Sequence, residues 1–262
     1  MFGLLTIGCY RKCPHRQQSA FTLVELAVVA VIIGIIAALL LPAFEKARGQ
    51  GRSAACRQNM RQLALGFYLY ADESESYLPW APTETDRNLA GDFVFGGPDA
   101  SQIDASNPVS WQERGFAYHA ESGSVFSYVT GQARETPHKD ANPAVSQAYR
   151  CASTGRLGAA LRVNFSMNGL LDASHPLATP RGIRYTSINN PSQKILLVNE
   201  RAETMVSAGF IPGEEPGRDK LVSHQGRANI AFVDSHVESV SLKTAAEMLS
   251  ASQRDFWFDP FK

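Results

Sequence analysis

Phe21-Thr22-Leu23-Val24-Glu25-Leu26, continuing as AVVAVIIGIIAALLLPAF to residue 44, decides the architecture of this chain. Glu25 is its single charge, and from Leu26 to Phe44 there is none. Coiled as a helix, residues 21–44 span roughly 36 Å, enough to cross the hydrocarbon core of a bilayer. Arg11, Lys12 and Arg16 precede the run and no acid does, so the N-terminus is expected to stay cytoplasmic while the rest of the chain crosses. A removable secretory signal would place its small-residue cleavage site after a shorter apolar region. Here the small pair Ser19-Ala20 comes before it. Cleavage at Ala20 would keep the helix.

The hexad Phe21 to Leu26, an aromatic followed four positions later by glutamate, resembles the processing site of type IV pilins and of the pseudopilins of type II secretion systems. The resemblance implies that a prepilin peptidase cuts between Ala20 and Phe21 and that the new amino group of Phe21 is methylated. The family usually has Gly where Ala20 stands, and the leader of twenty residues is long. In that family the acid at the position of Glu25 faces the N-terminus of a neighbouring subunit and sets assembly register. An acid that merely snorkels from a signal anchor to the interface is the plain alternative, since a carboxylate in an apolar helix is costly. Pro42 matches a family position at which the helix kinks, as a proline that removes one backbone bond should.

Beyond Pro42 a helical pattern continues to about Asp72. Ala47, Ala54, Met60, Leu63, Phe67 and Tyr70 lie near three- and four-residue spacing. Gly49 and Gly51 weaken it and suggest a bend. The expected organisation is a leader (1–20), a transmembrane helix (21–44), a periplasmic continuation of that helix (45–77) and a globular domain (78–262). Within the last, 79–150 is rich in Gly, Pro, Ser, Asn and Asp and reads as loops. Strand signals improve from Leu161, with Ile183-Arg184-Tyr185 and Lys194 to Val198. A hairpin over 228–241 has two residues, Asp234-Ser235, between its arms. Leu242 to Leu249 looks helical, and Phe256-Trp257-Phe258 reads as an apolar anchor or, through Trp257, a partner surface. The fold class is α+β, a long N-terminal helix packed on a small antiparallel sheet with long loops.

Segments across most of the chain resemble one large bacterial pseudopilin-like family. They are Arg57 to Leu63 with Tyr70 and Asp72, Gly123 to Val129, Tyr149-Arg150-Cys151, Asn164 to Gly169, and Pro191 to Val198 with Glu200. The last segment is His224, nine residues and Asp234, similar to a domain named for a histidine, nine residues and Asp-Gly. Ser235 replaces the glycine.

Cys9 and Cys13 fall in the leader, which leaves Cys56 and Cys151 in the exported part. In an oxidising compartment they are a candidate disulfide closing a loop of about 96 residues, worth about 4–5 kcal/mol in a loop-entropy account. Two separate buried thiols are the alternative. Cys9 also follows a short apolar run, a faint lipoprotein signature. His224, Asp234 and His236 are ligand types that a hairpin end could gather around a metal, but a turn aspartate bonding its own backbone beside a packed histidine explains them without one, and no metal is expected.

The whole chain has no net charge, and removal of the leader leaves 22 basic against 25 acidic residues. No basic cluster with interleaved aromatics appears in the exported part, so nucleic acid is excluded as a partner class. No nucleophile elbow, His-Glu-x-x-His, phosphate loop or dinucleotide glycine pattern is present, and no cofactor is expected. The reading is a pilin-like subunit held in the inner membrane and then packed into a filament. Its expected partners are other pilin-like subunits, the prepilin peptidase and methyltransferase, an inner-membrane assembly platform and the lipid bilayer. A membrane-anchored periplasmic binding module or minor tip pilin, and then a signal-anchored enzyme, are the alternatives.

Overall fold

A computed structural model describes residues 22–82, 89–96, 118–134, 147–172, 175–205, 207–213 and 220–262. The leader, Ala20, Phe21 and most of the segment 97–146 lie outside them. Helix α1 runs from Leu23 to Glu73 with Pro42 inside it. The chain divides into two compact units, one up to Lys46 and one from Ala47 onward.

In the first unit the side chains from Leu23 to Phe44 stand exposed, among them Leu26, Ile32, Ile36 and Leu40. A helix that is apolar all round and buries none of it belongs in lipid or against other helices. Among the described residues this is the one helix long and apolar enough to cross a membrane.

In the second unit, α1 buries Cys56, Met60, Leu63, Ala64, Phe67 and Ala71, a single stripe at three- and four-residue spacing. The stripe differs from the one read in the sequence, because Ala47 and Ala54 are exposed and Cys56, acting as a small hydrophobe, takes the inward position. Gly49 and Gly51 lie within continuous helix. At Gly49 the glycine serves close approach, since a Cβ there would sit 2.3 Å from Nε2 of Gln225.

The sheet has five strands in the order β3-β1-β2-β4-β5. They are β1 (Phe165–Asn168), β2 (Ile195–Asn199), β3 (Gly209–Phe210), β4 (Arg227–Phe232) and β5 (Val237–Ser241). All pairings are antiparallel except β1 with β3. Phe165 and Met167 of β1, Leu197 of β2 and Ala231 of β4 join the α1 stripe in one core. Ile195, Val198, Ala228, Ile230 and Phe232 point the other way and meet Ala245, Met248 and Phe258. Those last residues belong to two short C-terminal helices, α4 (Leu242–Met248) and α5 (Arg254–Phe258), which follow α2 (Phe126–Thr130) and α3 (Gly155–Leu161). The sheet is therefore buried on both faces, which explains why β1 and β2 read as continuous apolar or small residues. Phe258 is the anchor expected at the C-terminus; Phe256 beside it is exposed.

Residues 183–185, read as a strand, are not one. Arg184 makes an isolated bridge to Tyr77, and Tyr185–Ser187 form a 3₁₀ turn. The hairpin loop also differs from the expected two residues. Phe232 N–H donates to His236 O and Ser235 N–H to Phe232 O, so Val233, Asp234 and Ser235 form a three-residue loop. Ser235 has φ of 71°, the left-handed position that closes a turn of this class with a bulge and that glycine fills most easily. Ser235→Gly is accordingly expected to raise stability by about 1 kcal/mol, read from urea unfolding of the full chain in detergent.

One buried ion pair ties the loop-rich region to the core. Glu121 Oε1 accepts from Arg162 Nη2 at 2.5 Å and lies 3.2 Å from His119 Nδ1. Burial opposes ionisation of Glu121, but the hydrogen bonds from His119 and Arg162 outweigh it and hold the carboxyl at about 2. A depressed carboxyl stabilises the fold above its ordinary value of 4.5, and that contribution drains away as pH falls toward 2. Arg162→Met should cost about 3–5 kcal/mol at neutral pH by stranding the carboxylate. It should also move acid unfolding, followed by circular dichroism, to higher pH.

Candidate functional site

Two constellations carry chemistry. The first stands at the start of α1. Thr22 N–H and Thr22 Oγ1 both donate to Glu25 Oε2 at 2.8 Å, and Glu25 N–H donates back to Thr22 Oγ1 at 3.2 Å. This is a capping box, in which a Thr N-cap and a Glu three residues on satisfy donors that a helix start leaves open. The signature Thr-x-x-Glu was legible in residues 22–25. Glu25 thus has a local structural role that the reading as an assembly residue did not include. Pro42 lies nineteen residues past the first helical position, within the exposed apolar part of α1.

The second constellation lies inside the globular unit. Cys56 arrives on the inward stripe of α1, Cys151 just before α3, Asn199 at the end of β2 and His224 in the loop that enters β4. All four are buried. Cys56 Sγ donates to Asn199 Oδ1 at 3.3 Å, His224 Nε2 is 3.1 Å from the same oxygen, and Cys151 Sγ is 3.6 Å from His224 Nε2. The ligand atoms of Cys56, Cys151 and His224 all fall within 4.8 Å of one another.

Each member is held from behind. Asn199 Nδ2 donates to Asn164 O at 2.8 Å, which fixes which end of the amide faces the thiols. Ser153 Oγ holds His224 Nδ1 at 3.1 Å, and Cys151 N–H donates to Asn164 Oδ1 at 3.0 Å. The two thiols are unlike. Cys151 is pulled well below the ordinary thiol range by the neighbouring Cys56 thiol first and then by His224 and the N–H of Ser153, against burial. Cys56 is pushed up by Cys151 and by burial. Both sulfurs are free thiols in this structure.

The three residues read together at the hairpin are divided. Asp234 and His236 meet at the exposed loop, where Asp234 Oδ1 accepts from His236 N–H at 3.1 Å and sits 2.5 Å from His236 Nδ1. The His236 ring stacks on Phe232 with centroids 4.3 Å apart. His224 lies at the opposite end of β4, a strand of six residues and so roughly 17–20 Å long. The residues the sequence reading missed are Asn199 and Ser153; both are ordinary polar residues whose partners are remote in sequence, so no local pattern marks them.

Comparison with known proteins adds two findings. The family described as the prokaryotic N-terminal methylation motif matches residues 15–41. The type II secretion system core protein G of Pseudomonas aeruginosa is 36% identical over 63 residues, which cover 24% of this chain and 44% of that protein. The chain thus spans less than half the length of that relative. No solved structure matches it. What the match and the apolar helix show together is a chain that carries a prepilin-type N-terminal methylation motif at the head of a candidate membrane-spanning segment.

Proposed function

We propose that this chain is a pilin-like structural subunit, a pseudopilin of a type II secretion system or a related filament, and not an enzyme. The observation that carries the reading is the methylation motif over residues 15–41, set on a helix that leaves every apolar side chain from Leu23 to Phe44 exposed. The relative named as a type II secretion core protein supports it.

In this reading prepilin peptidase cuts between Ala20 and Phe21, and Phe21 is N-methylated. The helix first holds the subunit in the inner membrane with its globular unit in the periplasm. Extraction onto an assembly platform then packs it against the helices of other subunits. Once the helix leaves the lipid, burial of its exposed apolar surface favours that packing by about 25 cal/mol per Å² kept from water, less the cost of ordering. Glu25 supplies the charge that meets the amino group of a neighbour, and Pro42 kinks the helix.

The test is filament membership. Filaments sheared from cells and probed with antibody to the globular unit should contain the chain, and should lose it in cells lacking prepilin peptidase. A chain that stays singly in the membrane, with or without the peptidase, would contradict the reading and favour a membrane-anchored binding module.

A further inference from the structure

We propose that Cys56, Cys151 and His224 form a binding site for a zinc-class divalent cation in the core of the globular unit, with Asn199 Oδ1 beside them as a fourth oxygen donor. The proposal is independent of filament assembly. Two thiolates and one imidazole are the ligand types zinc prefers, with bond lengths near 2.3 Å to sulfur and 2.0–2.1 Å to nitrogen. A tetrahedron built on such bonds has ligand atoms roughly 3.4–3.8 Å apart. The observed separations are 3.6 Å from Cys151 Sγ to His224 Nε2, 3.3 Å from Cys56 Sγ to Asn199 Oδ1 and 3.1 Å from His224 Nε2 to Asn199 Oδ1. The Cys151–His224 separation lies in that range, the two separations to Asn199 Oδ1 would open by a few tenths of an ångström, and Cys56 Sγ lies within 4.8 Å of the other two ligand atoms.

The surroundings have the form of a supporting shell. A metal-bound imidazole is oriented by a partner on its other nitrogen, and Ser153 Oγ occupies that place on Nδ1. Asn229 on β4 lies beside Cys56, and its Oδ1 and Nδ2 are fully buried with no partner at ordinary hydrogen-bond distance. Buried amides are rarely left so; a thiolate at Cys56, such as a cation would create, gives the Nδ2 donor its acceptor. A disulfide between the cysteines would engage the two sulfurs alone and leave His224 Nε2 paired only with Asn199 Oδ1. A cleft of about 530 Å³ is lined in part by Ser153 and Ser223, next to the histidine. Binding would displace the thiol protons to solvent and pin α1, the α3 entry and the sheet to one ion.

The experiment uses the full chain purified from membranes without chelator. Elemental analysis is expected to find about one zinc per chain, and alkylation after denaturation should label both cysteines as reduced thiols. Cobalt exchanged into the protein should show thiolate-to-metal charge-transfer bands. Cys151→Ser and His224→Ala should weaken zinc binding at least 100-fold. Because those variants disturb the core, Ser153→Ala supplies the second measurement, with about tenfold weaker zinc binding in a metal-free protein that still unfolds cooperatively. Zinc at background levels, or a Cys56–Cys151 disulfide in the isolated protein, would overturn the proposal. So would full zinc content in both ligand variants.

Discussion

Glu25→Gln is expected to abolish incorporation into filaments while leaving leader cleavage and membrane insertion intact. The two roles of this residue separate on that substitution. Glutamine keeps an oxygen able to accept from Thr22 N–H and Oγ1, the bonds that form the capping box, and glutamine is itself a regular member of such boxes. It lacks the charge that would attract the amino group of a neighbouring subunit in a medium of low dielectric, where charges interact far more strongly than in water. If capping were the whole function, Gln would assemble normally and only Glu25→Ala would fail. If charge pairing sets register, both fail, and the amount of chain in sheared filaments drops to background for each. Thr22→Val completes the set: it removes the hydroxyl from the box and retains the charge, so it should assemble. Normal filament content in Glu25→Gln would contradict the assembly role.

Asn164→Ala is expected to destabilise the globular unit by about 3–5 kcal/mol, far more than the removal of two hydrogen-bonding atoms from a surface site. Asn164 is wholly buried. Its Oδ1 accepts from Cys151 N–H at 3.0 Å and lies 3.0 Å from Thr154 Oγ1. Its Nδ2 donates to Gly158 O at 3.0 Å and Val163 O at 2.8 Å. Alanine strands the Cys151 N–H and takes a donor from Val163 O and Gly158 O, and each buried group left unpaired costs about 1–3 kcal/mol. The side chain also clamps the ends of the segment 151–164 together, so the loss spreads to the placement of Cys151. Urea unfolding monitored by tryptophan fluorescence checks it. A loss below about 1 kcal/mol would mean that water takes over the orphaned groups.

The membrane helix was legible because the apolar run of residues 21–44 has no other stable home. The terminal hairpin was legible because Ala228 to Phe232 alternates between two buried faces, Ala228, Ile230 and Phe232 on one and Ala231 on the other. The short helix from Leu242 was legible for a similar reason, with Ser241 as an N-cap accepting from Thr244 N–H. Strand β3 was not, since two residues, Gly209 and Phe210, carry no periodicity. Ile183-Arg184-Tyr185 had strand-like composition, but Ser187 N–H bonds Arg184 O and turns the chain. The hairpin loop was read one residue short because Val233 looks like strand while its backbone belongs to the turn. The buried cluster illustrates the harder limit. Cys56 and Cys151 were noticed as a pair, and His224 as part of a different group at the hairpin. That the histidine joins the thiols depends on which end of β4 the 223–226 turn occupies, and only the assembled sheet determines that.

The measurement that bears most directly on the central claim is the N-terminal residue and intact mass of the chain isolated from membranes that contain a prepilin peptidase. The expected result is a chain beginning at N-methylated Phe21, lacking the leader through Ala20. A chain retaining Met1 and the leader, or one beginning elsewhere, would contradict the account.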